Sequence, residues 1–147
     1  MKLIIIFLLI ILIFSMYKLN SINNQNLLKF IPDKATVSRI EIVPVHNEKY
    51  AFSYTDKEKV FNFMSQLEVL KFRNDDERDV RAGFGSLIRF FDKDDKKIDE
   101  WVWLGYSVVN STGQRLKVLE KTDHLVDDFI LSNTPDILEE IPYTKHG

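Results

Sequence analysis

An unbroken apolar run occupies Leu3 to Phe14: Leu-Ile-Ile-Ile-Phe-Leu-Leu-Ile-Ile-Leu-Ile-Phe. A helix built from it has no polar side to turn toward water, so it cannot lie on the surface of a small water-exposed domain. Ser15, Met16 and Tyr17 extend the run and Lys18 stops it. From Leu3 to Tyr17 such a helix reaches about 22 Å at ~1.5 Å per residue, short of a ~30 Å hydrocarbon core. Leu19 and Ile22 can lengthen it. Two readings follow. In a cleaved secretory leader, Lys2 is the charged start and the run is the apolar region of ~7–15 residues. In an uncleaved signal anchor, no cleavage site follows the run. Ser15, Met16 and Tyr17 stand where small residues are needed, and the first alanine is Ala35. That favours a transmembrane anchor over residues 1–18, touching lipid through 3–17. Lys2 and the amino terminus favour a cytoplasmic start, whereas Lys18, Lys29, Lys34 and Arg39 oppose it. The short N-terminal tail is hard to translocate, which places the body outside the cytoplasm as a single-pass protein. If the leader is cleaved, the body is secreted.

Residues 19–36 read as a polar linker, with Asn20, Asn23, Asn24, Gln25 and Asn26 poor at holding regular structure. Residues 37–147 are long enough to bury a core without metals or disulfides. The chain is 45% apolar and 29% charged with a net charge of -2, so the body is not expected to be disordered. The same balance argues against nucleic acid and gives no reason to expect a broad polybasic membrane patch. The chain has no cysteine, which excludes disulfides, a thiol nucleophile, thiolate metal sites and a lipid-modified N-terminal cysteine.

Within the body, Ile40 and Ile42 alternate with Arg39 and Glu41, the period of a half-buried strand. Tyr50, Phe52 and Tyr54 form a second strand after the loop His46-Asn47-Glu48-Lys49. Thr55-Asp56-Lys57-Glu58 reads as a capping box, with Thr55 as the cap and Glu58 reaching back to it. Val60, Phe63, Met64, Leu67 and Leu70 then share one helical stripe ending near Lys71. After a charged loop from Asn74 to Arg81, strands are expected over Ser86 to Phe91, Lys97 to Leu104, Tyr106 to Asn110 and Arg115 to Leu119. Large residues on both sides of Lys97 to Leu104 place that strand centrally in the sheet. A helix capped by Asp123 runs through Leu131, and Pro135 opens a final turn. The class is α+β: after an N-terminal transmembrane helix, a mostly antiparallel sheet of about six strands, in the order β-β-α-β-β-β-β-α, has helices packed on one face.

An apolar leader, a hairpin, a helix opened by Thr55, Asp56 and Glu58, and a run of strands resemble uncharacterised extracytoplasmic domains tethered to Gram-positive cell membranes. The resemblance implies location and fold class and carries no catalytic residues. It departs in one respect, since those domains typically bear a lipid-modified cysteine.

Residues able to carry chemistry do not converge. His46, His124 and His146 are never four residues apart, so no helical metal pair exists. Asp92, Asp94 and Asp95 lack the glycine and distal glutamate of a calcium loop, and Lys96 stands where the third ligand belongs. Asp75, Asp76, Glu77 and Asp79 are interleaved with Arg73, Arg78 and Arg81, as in a self-neutralising loop. Gly83-x-Gly85 lacks a third glycine and precedes a strand, so it turns the backbone rather than binding a dinucleotide. There is no Gly-x-Ser-x-Gly elbow. No catalytic residue, metal or cofactor is expected. Trp101 and Trp103 share one strand side, either as core or as an uncovered binding surface. Arg81, Phe84, Trp103 and Tyr106 are the candidate binding residues, because a hairpin through Asp92 to Lys96 brings the start of one strand beside the end of the next. The expected function is a membrane-tethered extracytoplasmic binding or accessory module for a protein or envelope partner, immunity-type proteins included. A small envelope hydrolase using carboxylates of the charged loop is the alternative.

Overall fold

Alternation of apolar and polar side chains organises the body into one antiparallel sheet. The computed structural model describes residues 6–18, 30–44, 49–75, 85–119 and 124–141. The chain divides into two units, Met1–Ile31 and Pro32–Gly147.

In the first unit, helix α1 covers residues 6–18. Its large apolar side chains are all more than half exposed, from 51% at Ile11 to 76% at Tyr17. The expected transmembrane helix is not shown, because the described helix is too short. Thirteen residues, 6–18, rise only about 20 Å. Among the described residues no helix is long and apolar enough to cross a membrane.

The second unit holds strands β1 (Arg39–Val43), β2 (Tyr50–Tyr54), β3 (Phe72–Asn74), β4 (Ser86–Phe91), β5 (Lys97–Trp103), β6 (Ser107–Asn110), β7 (Arg115–Val118) and β8 (Ile137–Glu140). Helices α2 (Lys57–Glu68) and α3 (Leu125–Ser132) complete it. The sheet order is β3-β7-β6-β5-β4-β1-β2-β8 and every neighbouring pair is antiparallel. The class is the expected α+β, with eight strands rather than about six. The extra two are edge strands: β3 lies where the charged loop was expected to begin, and β8 replaces the turn after Pro135. Strand β5 is fourth of the eight, central as its two-sided apolar pattern requires.

Register assigns the faces. Tyr54 lies opposite Ile40, Ile40 opposite Phe90, and Ile88 opposite Trp101. These side chains share one face, where all five are buried. Phe129 of α3 meets the Tyr54 ring at 4.9 Å and the Phe63 ring of α2 at 4.7 Å, so both helices lie on that face. The stripe Val60, Phe63, Met64 and Leu67 is buried as its spacing predicts.

The start of α2 departs from the expected capping box. Asp56, not Thr55, is the N-cap, and its carboxylate accepts from the Glu58 and Lys59 amides. The reciprocal role expected of Glu58 falls to Asp136, ahead of β8. Its Oδ2 accepts from the Thr55 and Asp56 amides at 2.8 Å each, and its Oδ1 pairs with Lys59 Nζ at 2.5 Å. The Lys59 hydrogen bond, followed by those backbone amides, holds the Asp136 carboxyl at about 2. Burial, together with the Asp136 charge, pushes the Tyr54 hydroxyl up to about 12. Asp33 and Lys34, read from sequence as the end of the linker, belong to the body: Asp33 closes a turn with Thr36, and Lys34 pairs with Glu68 of α2 at 2.6 Å.

Gly85 is required by space rather than by a left-handed turn. A Cβ there would lie 2.3 Å from the Trp103 carbonyl oxygen, a backbone atom that cannot give way. Gly113 does adopt the left-handed conformation, with φ 79°, in the β6–β7 hairpin. Asn110 Oδ1 organises that turn by accepting from the Thr112 and Gln114 amides.

Candidate functional site

The four residues expected to form one binding edge do not share one environment. Arg81 and Phe84 lie outside the described residues. Trp103 is 3% exposed, on the helix-bearing face, opposite Ser86 and Val108. Its indole N–H has no acceptor among the described residues. Trp101 is buried beside it, but its indole donates to Asp99 Oδ2 at 2.9 Å. The tryptophans are therefore core residues, because α2 and α3 took the face they occupy. Tyr106, in the β5–β6 connection, is 48% exposed, with its carbonyl accepting from the Val118 amide.

The other sheet face carries the alternate residues of the same strands. Glu41, Arg89 and Glu100 stand side by side across β1, β4 and β5. Arg89 reaches Glu41 through Nη1 and Glu100 Oε2 through Nε at 2.8 Å. Lys97 extends the row, 3.3 Å from Glu100. Arg39 continues it on the other side, 3.3 Å from Glu41 and 2.7 Å from Asp95, with its guanidinium 3.5 Å above the Phe91 ring. Sequence reasoning missed this ladder, although the alternation of Arg39 and Glu41 with Ile40 and Ile42, and of Arg89 with Ile88 and Phe90, was its signal. Burial opposes the Arg89 charge, but Glu100 and Glu41 outweigh burial and hold the guanidinium above its ordinary value. Burial likewise pushes Glu100 up, and Arg89 and Lys97 overcome it, so the carboxyl stays below its ordinary range. Leu87, Val102 and Val109 lie beside the ladder on the same face, opposite one another across β4, β5 and β6.

Helices α2 and α3 border an open cleft of about 410 Å³ whose rim includes Gln66, His124, Asp128 and Ser132. His124, Asp128 and Ser132 follow at steps of four along one helix side. Asp128 therefore separates the imidazole from the hydroxyl by about 12 Å of rise between the outer two, so no base-and-nucleophile pair forms. Of the carboxylates in the expected hydrolase loop, Asp75 lies 4.0 Å from Arg115, while Asp76, Glu77 and Asp79 are outside the described residues. Asp92 is occupied locally: its Oδ1 accepts from the Asp94 and Lys96 amides and shapes the β4–β5 turn. Among the described residues no three His, Cys, Asp or Glu side chains gather as metal ligands.

No family model, curated protein or solved structure matches the chain.

Proposed function

We propose that this protein is a membrane-tethered, non-catalytic binding module, held through its N-terminal apolar segment with the body outside the cytoplasm. The observation that supports it most is α1, whose large apolar side chains all stand more than half exposed, while those of the sheet core are sunk below 10%. At ~25 cal/mol per Å² of apolar surface, such a helix is stable only where another apolar phase covers it. Lipid is the phase that suits a helix apolar on every side. The binding part of the reading draws on the open sheet face, where Val102 is 39% exposed and flanked by Leu87 and Val109.

Alkaline carbonate extraction of native membranes tests the tether. The full-length chain is expected in the pellet, and a mature chain beginning between Lys18 and Ala35 in the soluble fraction would overturn it. A photo-crosslinking residue at Val102 tests the binding face. It is expected to give a defined adduct in native membranes, whereas one at Leu131 on the exposed side of α3 gives none. Equal labelling from both positions removes the open face as the binding surface.

A further inference from the structure

The sheet ends in two unlike edges, and the β3–β7 corner has a composition suited to one kind of partner. Register puts Arg73 directly opposite Lys117, and the Leu119 amide donates to the Lys71 carbonyl two residues further along. Like charges facing each other across a strand pair destabilise it. Among the described residues no carboxylate pairs with Lys71, Arg73 or Lys117, whereas Arg115 nearby is held by Asp75 and Lys34 by Glu68. Large apolar side chains stand exposed in the same corner: Val69 at 73%, Leu119 at 53% and Tyr106 at 48%. Tyr106 belongs there because its carbonyl accepts from Val118, the residue between Lys117 and Leu119. The opposite edge, β8, carries Glu139 and Glu140 instead.

We infer that the β3–β7 corner docks on an anionic lipid surface, with Lys71, Arg73 and Lys117 at the phosphates and Tyr106, Leu119 and Val69 at the headgroup boundary. The inference rests on the membrane reading proposed above and adds the part of the body that meets the bilayer. Charge complementarity selects the occupant. Three cations without carboxylate partners among the described residues repel one another until phosphates approach, and each basic residue near an anionic bilayer favours it appreciably. An amphipathic tyrosine and aliphatic side chains beside lysine and arginine are the residues that settle at a membrane interface.

The chain has no cysteine, so single cysteines report position without background. Full-length protein carrying Leu119→Cys, or Leu138→Cys at the opposite edge as control, is labelled with an environment-sensitive dye. It is then incorporated into vesicles of phosphatidylcholine with or without phosphatidylglycerol. The Leu119 label is expected to shift to the blue and to be quenched by spin-labelled lipid only in the anionic vesicles, and to lose both responses at high salt. The Leu138 label is expected to stay silent. Lys71→Gln, Arg73→Gln and Lys117→Gln are each expected to lower the docked-to-undocked ratio roughly fivefold, and the charge-keeping K71R, R73K and K117R variants to preserve it. Equal Leu119 signals in both vesicle types, or an equal response from Leu138, overturn the inference. Quenching that follows protein density rather than lipid charge also overturns it and assigns the corner to a second copy of the chain. Flotation of the same samples separates the two proposals. A chain that floats with a silent Leu119 label defeats the docking corner alone, and a chain that does not float defeats both.

Discussion

The two faces of the sheet use the same strands and different physics. On the helix-bearing face, Ile40, Ile42, Tyr54, Ile88, Phe90 and Trp101 are withdrawn from water. Phe90 and Trp101 meet edge to face at 4.9 Å. On the open face, one residue along each strand, Arg39, Glu41, Arg89 and Glu100 neutralise one another in a ladder that solvent still reaches. Removing a large apolar side chain from water is worth about 1.5–3 kcal/mol, while a solvent-exposed ion pair is worth about 0.2–1. The first face therefore carries most of the stability. The second face offers charge and partial exposure without carrying the core.

The largest effect expected is on the buried face. Trp101→Ala should cost about 3–5 kcal/mol and Leu67→Ala, on α2, about 2–5, because both leave cavities that the sheet and helices cannot close. Denaturant unfolding at constant slope measures this. If either cost falls below that of a ladder variant, the contrast between the faces is wrong.

An intermediate effect is expected at the centre of the ladder. Glu41 is 7% exposed, so Glu41→Ala leaves Arg39 and Arg89 short of their shared carboxylate at a cost of about 1–3 kcal/mol. A double-mutant cycle with Arg89→Ala should show clear coupling between the two. Additive losses would mean the ladder is a set of independent surface charges.

Asp136 sharpens the comparison from outside both faces, since it joins the α2 N-terminus to the segment before β8. Asp136→Asn keeps the shape and removes the charge, and should cost about 0.5–2 kcal/mol at neutral pH, like the loss of a cap. The sign of the pH dependence follows from the lowered value. The folded carboxyl titrates at about 2 and the unfolded one at about 3.9, so its contribution is full above the unfolded value and lost as pH falls through the folded one. The melting difference between wild type and Asp136→Asn should therefore be constant above about pH 5 and close toward pH 2. A difference unchanged at pH 2 would remove Asp136 as the charged cap.

The smallest effect is expected where the ladder ends in solvent. Asp95 pairs with Arg39 while 73% of its side chain is exposed, so Asp95→Asn should change stability by less than about 0.5 kcal/mol. A larger loss would show that the open face holds the sheet as firmly as the core does.

Local pattern made six strands and the α2 stripe legible, because a period of two or 3.6 is written in adjacent residues. β3 and β8 were not legible for the opposite reason. Phe72–Asn74 is too short to show a period, and Ile137-Leu138-Glu139-Glu140 does not alternate. Each is a strand because a partner distant in sequence leaves a free edge: Leu116 to Val118 for β3, and Tyr50 to Ser53 for β8. The helix cap slipped from Thr55 to Asp56 for a similar reason, since the carboxylate that completes it comes from Asp136. Of the candidate residues, Tyr106 is exposed, whereas Trp103 is buried by a choice of face that strand periodicity leaves undecided.

The sequence alone determined the things that depend on neighbours: an N-terminal segment apolar on every side, a body of alternating strands, the α2 stripe from Val60 to Leu67, and the turn from Asp92 to Lys96. Tertiary structure decided the things that depend on which surfaces meet. Both sides of β5 carry large residues, and burial on the Trp101 side rather than the Val102 side followed from where α2 and α3 came to rest. The Glu41–Arg89–Glu100 ladder exists because three strands came into one register, and the Lys71, Arg73 and Lys117 corner because β3 found the edge of β7. Periodicity says that two faces differ. Only packing between distant segments says which is covered, because burial is a property of the pair of surfaces and not of either strand.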